Sequence, residues 1–132
     1  MAENVQETKE SGPKWEKITA QQFLLEVERC ANNARQQKLD PMHAEQFSYE
    51  FDEIHIVPPA GIELSFTNAA YTMDPDRRFV IIGNRGHGMK DARQQSLVGG
   101  AIVREISVFV SSIEDPSTVI KVKRAPIKRT GW

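Results

Sequence analysis

"FSYEFDEIHIVPPAGIELSF", residues 47–66, is the stretch on which the fold turns. Phe47, Tyr49 and Phe51 alternate with Ser48, Glu50 and Asp52, and a period of two marks a half-buried strand. The alternation then slips, because Ile54 and Ile56 continue on the other parity. A slip of one residue turns the inner face outward unless an extra residue is absorbed, so a bulge is expected near Asp52 and Glu53. Residues 58–61, "PPAG", read as a turn whose prolines cannot donate to a ladder. Ile62, Leu64 and Phe66 restart the alternation. The stretch is an antiparallel hairpin.

Upstream the period changes to that of a helix. Thr19 is a good N-cap, and Gln22 three residues on completes a capping box. Ile18 and Phe23 have the spacing of a hydrophobic staple. Phe23, Leu24, Val27, Ala31 and Ala34 then form one apolar stripe, with Cys30 at its flank as a buried structural thiol. The helix is expected over 20–38, stopping before Asp40 and Pro41. Glu26, Arg29, Asn33 and Gln37 read as its solvated face. Trp15 reads as a lid on the nearest hydrophobic cluster.

Downstream, residues 67–78 hold a polar turn around Asp74, Pro75 and Asp76. Both carboxylates read as turn formers or partners of Arg77 and Arg78. "FVIIG", residues 79–83, has the pattern of a central strand buried on both faces. Residues 90–96 are helix-like, whereas 97–113 fit either a helical stripe or a strand. Gly99 and Gly100 would cost a helix interior roughly 1–2 kcal/mol, so a short helix followed by a strand over 101–113 is expected. Residues 118–126, "TVIKVKRAP", form a last strand. The expected fold is α+β: an N-terminal amphipathic helix on a mostly antiparallel sheet of about five strands, with a second shorter helix after a glycine loop. Domain organisation reads as an arm over 1–14, one domain over 15–126 and a basic tail over 127–132.

Composition narrows the class. The 132 residues are 39% hydrophobic and 27% charged, as in an ordinary folded domain, with net charge −1. Residues 1–60 carry 6 basic and 11 acidic side chains, a balance of −5, and residues 61–132 carry 11 and 7, a balance of +4. An anionic partner would therefore meet the C-terminal half. Cys30 is the only cysteine, which rules out an intramolecular disulfide and a cysteine-based zinc site. No run approaches the ~18 apolar residues of a membrane helix, and the N-terminus lacks a signal's apolar core. A soluble intracellular protein is expected.

The chemistry-bearing residues cluster in two places. "GNRGHGMKDAR", residues 83–93, sets Asn84, Arg85, His87, Lys90 and Arg93 among and beyond three glycines, between a strand and a helix-like segment. Backbone N–H groups there could face an anion. The spacing matches neither the dinucleotide fingerprint nor the phosphate-binding P-loop, which needs Ser or Thr after its lysine where Asp91 stands here. The competing reading is a bend. At the C-terminus Lys121, Lys123, Arg124, Lys128 and Arg129 fall within nine residues. With Arg77 and Arg78 they could track phosphates, although only Trp132 in the tail offers a stacking platform. The competing reading is an edge strand guarded by lysines. His43, His55 and His87 have no zinc spacing, and no nucleophile motif appears. No cofactor, metal or catalytic residue is expected. The leading expectation is a non-enzymatic binding or assembly subunit, self-associating through its polar tails. The second is a nucleic-acid-binding module, and the third a small nucleotide- or phosphate-binding protein or enzyme.

Overall fold

Strand β1 (Glu16–Ile18) and helix α1 (Ala20–Gln37) open a chain that continues through β2 (Phe51–Val57), β3 (Leu64–Thr67), β4 (Ala69–Met73), β5 (Phe79–Asn84), β6 (Ser96–Val98), β7 (Ala101–Val103), β8 (Glu105–Phe109), α2 (Val110–Glu114) and β9 (Val119–Arg124). The structure, a computed structural model, describes residues 14–37, 49–85 and 96–125. The class is α+β, and every strand pairing is antiparallel.

Helix α1 begins where its cap dictates. Thr19 N–H donates to Gln22 Oε1 at 2.8 Å, and Gln22 N–H donates to Thr19 Oγ1 at 3.0 Å. Each side chain thus satisfies a backbone donor that the first turn leaves open. Phe23, Val27, Cys30, Ala31 and Ala34 are buried and Leu24 packs at their margin. The stripe lies chiefly on β4. One residue departs from the expected solvated face: Glu26 is buried, 5% exposed.

The nine strands form a six-stranded sheet, in order β1-β9-β2-β3-β6-β7, and a three-stranded sheet, β4-β5-β8. Among the described residues the count exceeds the five expected because β1, β4 and β6 lie where no strand was expected and the strand expected over 101–113 is divided into β7 and β8. β3 and β4 are one strand bent at Asn68, whose φ of +51° is the left-handed conformation asparagine tolerates. Phe66 pairs with Ser96 while Ala69 pairs with Asn84, so β6 and β5 lie end to end along that bent strand. Ser96 Oγ lies 3.1 Å from Asn84 Oδ1 at the junction. β7 and β8 continue the same arrangement outside them. The expected bulge is present: the β2–β9 register shifts between Phe51 and Glu53, which lets Phe51, Ile54 and Ile56 all face inward. Gly61 N–H donates to the Pro58 carbonyl at 2.9 Å, closing the turn of the hairpin.

Two expectations are corrected, and a third falls almost wholly outside the described residues. Residues 101–113 are not one strand, because β7 and β8 end at Phe109 and the short helix α2 follows. The helix expected over 90–96 lies outside the described residues except for Ser96, which opens β6. Gly99 and Gly100, with φ of +58° and +88°, form the two-residue turn between β6 and β7. Finally, β9 is no edge strand, since β1 covers one side of it and β2 the other.

The core joins α1 to the inner sheet surfaces through Phe23, Phe51, Ile54, Phe66, Tyr71, Val80, Ile82, Ile113 and Val122. The opposite face of the six-stranded sheet carries half-buried and exposed polar side chains.

Candidate functional site

Strand alternation builds a site on that outer face. Ile18, Ile120, Ile56 and Leu64 point to the core, so their neighbours point away. Lys17 stands opposite Lys121, Lys121 opposite His55, and His55 opposite Ser65. The row continues through Leu97 to Ile102. One line across the sheet therefore grades from cationic through polar to apolar.

Trp15 stands beside the cationic end. Its ring meets His55 edge-on at 6.3 Å between centroids, and the Lys123 ammonium lies 5.1 Å over it. The indole remains 45% exposed, so it is not the lid on a hydrophobic cluster that its position in sequence suggests. Trp15, His55, Ser65 and Lys121 line an open depression of about 350 Å³. Two carboxylates share the face: Glu53 is 3.7 Å from Lys123, and Glu63 is 3.6 Å from His55. Among the described residues, neither Lys17 nor Lys121 has an ion-pair partner.

The residues singled out from the sequence are dispersed. Lys121 and Lys123 reach this face. Arg124 points to the other side of β9, where it pairs with Glu16 at 3.1 Å and with Glu50 and lies over the Phe51 ring. Those contacts raise the Arg124 pKa and lower that of Glu16. Arg85 donates to the Ala69 carbonyl at 2.9 Å, pairs with Asp52 at 3.2 Å and covers Tyr49. Asn84 is buried, and its Nδ2 donates to the Thr67 carbonyl at 2.5 Å. Arg77 and Arg78 sit in the turn between β4 and β5, with Arg77 paired to Glu28. His87, Lys90, Arg93, Lys128 and Arg129 lie outside the described residues.

A second polar cluster lies inside the protein. Glu26 Oε2 accepts hydrogen bonds from the Tyr71 hydroxyl at 2.5 Å and the Glu50 N–H at 2.9 Å, and lies 3.5 Å from Cys30 Sγ. Arg29 Nε donates to Glu26 Oε1 at 2.7 Å. Burial first, then the Glu26 charge, pushes the Cys30 thiol up to about 12. A nucleophilic cysteine needs the opposite shift. Burial and Glu26 raise Tyr71 as well. The cluster clamps α1 to β2 and β4 and offers no activated group. Among the described residues no set of three His, Cys, Asp or Glu side chains is placed to hold a metal ion, and no helix is long and apolar enough to cross a membrane.

Trp15, Lys17, His55 and Ser65 were not legible as one site. The alternation of Lys17 with Ile18, matched to that of Lys121 with Val122, was the available cue. No family model, curated protein or solved structure matches the chain.

Proposed function

We propose that the protein is a non-enzymatic binding subunit that holds single-stranded nucleic acid on the outer face of the six-stranded sheet. The observation that carries this reading is the cross-strand row Lys17, Lys121, His55 and Ser65 with the exposed Trp15 ring beside it. Single strands are bound where cations track the backbone and aromatic rings stack on bases. Lys17 and Lys121 supply the first, and Trp15 the second. Ser65 adds a hydroxyl that donates or accepts.

Anisotropy of a labelled thymidine oligonucleotide tests this. Affinity should fall with salt, and Lys121→Ala should reduce the slope of log K against log salt by about 0.7, the share of one neutralised phosphate on a single strand. Trp15→Ala should cost about 1–3 kcal/mol, the usual worth of one base–aromatic stack. Absence of binding at about 50 mM salt, or binding that ignores both substitutions, would overturn the reading.

A further inference from the structure

The outer edges of β7 and β8 lie end to end from Ala101 to Phe109, bending at Arg104, and among the described residues no strand pairs with either. Natural edges are blunted by lysine, proline or covering segments. This one, "AIVREISVF", has neither residue, is rich in β-branched side chains, and exposes Ile102 at 54% and Phe109 at 56%. The other end of the six-stranded sheet, β1, is only 3 residues long and bears Lys17.

We propose that a second copy of this chain pairs antiparallel along this edge, about a two-fold axis between Arg104 and Glu105. Inward-facing residues must oppose inward-facing ones, because paired residues project from the same face. Ile106 and Val108 pack against the core, while Ile102, Glu105, Ser107 and Phe109 are turned outward. Arg104 is the odd residue at the bend between the strands. With the axis there, Val103 faces Ile106 of the other copy, and Ile102 faces Ser107. Each Arg104 faces a Glu105, twice in the dimer. Phe109 falls diagonally across from Ile102, which brings the two exposed apolar side chains together. Moving the partner by two residues either way sets Val103 against Arg104 or Glu105 against Ile106. Of these three registers, only the central one keeps inward residues opposite inward ones and sets Arg104 against Glu105.

Light scattering on the full-length protein, from about 1 to about 200 µM, should show conversion to twice the chain mass. Arg104→Glu or Glu105→Arg alone sets like charges opposite each other twice, and should weaken the dimer roughly tenfold. The double exchange Arg104→Glu with Glu105→Arg restores the pairs and should return affinity to within about threefold of the starting value. A two-residue hairpin makes its flanking pair, Val98 with Ala101, hydrogen-bonded, so Ile102 aims its N–H at the outer edge. Exchange of the Ile102 amide should therefore slow as concentration rises. A monomer throughout the range, a dimer indifferent to the single charge changes, larger species, or an Ile102 amide that exchanges equally at both ends of the range would each overturn the proposal.

Discussion

The Tyr71 hydroxyl donates to Glu26 Oε2 across 2.5 Å, joining β4 to the middle of α1. The same hydroxyl accepts the Phe51 N–H at 3.0 Å, and the same carboxylate oxygen accepts the Glu50 N–H. Two side chains thereby satisfy the backbone where β2 begins and bulges. Tyr71→Phe leaves the Phe51 donor buried and unpaired and should cost about 1–3 kcal/mol. Glu26→Ala removes a charged acceptor from several donors and should cost about 3 kcal/mol or more. A double-mutant cycle in urea should return a coupling of about 0.5–3 kcal/mol. Additive losses would show that the two residues stabilise the fold separately.

Alkaline pH should loosen the fold through the same cluster. The Cys30 thiol ionises near 9.0 when unfolded and only at about 12 when folded. Between those values the unfolded chain has released a proton that the folded chain retains, so stability falls as pH rises. Tyr71, also raised by burial, adds to the fall above its ordinary value of 10.0. Cys30→Ala should flatten the decline between about pH 9 and about pH 10, where tyrosine contributes least. Denaturant midpoints measured at each pH decide this, and parallel curves for the two proteins would count against it.

Acid should act on the turn between β4 and β5. The Asp74 carboxylate accepts N–H bonds from Phe79 at 2.6 Å, Arg78 at 2.8 Å and Asp76 at 3.1 Å. These donors hold its carboxyl below the ordinary value of 3.8. Its contribution is present above pH 3.8 and is lost as pH falls through the lower folded value. Asp74→Asn should therefore be less stable than the wild type at neutral pH, with the gap closing in acid. Circular dichroism against pH for both proteins would reveal the convergence.

Substitutions at the start of helix α1 should separate by burial and by capping. Phe23→Ala should cost about 3–5 kcal/mol, because that ring is fully buried. Leu25→Ala, at a side chain 60% exposed, should stay within about 0.5 kcal/mol. Thr19→Ala removes one half of the capping box and should cost about 1 kcal/mol. Thermal unfolding of the three variants should order them Phe23, Thr19, Leu25.

What could be read in the sequence follows from how much local pattern each element carries. Helix α1 has a cap and a stripe, and β2 has a parity slip, so both were legible with their boundaries or their bulge. β4, "AAYTM", is buried at four of its five positions and so shows no alternation. β1 is too short for any period. The lysines of β9 suggested an edge, yet they alternate with core residues and lie on the outer face of a strand paired on both sides. Glu26 lies three residues after Phe23 and four before Cys30, on the buried side of the helix. That spacing was visible, and the charge diverted the reading. The outer-face row was not legible, since its members come from β1, β2, β3 and β9, and only strand order sets them side by side.

The position of β9 between β1 and β2 has a consequence for biosynthesis. The gap between those strands is filled by a segment translated almost a whole domain later. Until Arg124 has emerged from the ribosome, Ile18 and Ile56 lack the neighbours that Ile120 provides. The nascent chain can form α1 and the β2–β3 hairpin early, because their contacts are local. Closure of the large sheet must wait for the last strand. Folding should therefore be comparatively slow, with the large sheet closing only after Arg124 is available. The exposed flanks of β1 and β2 would be the surfaces that a chaperone shields in the interval.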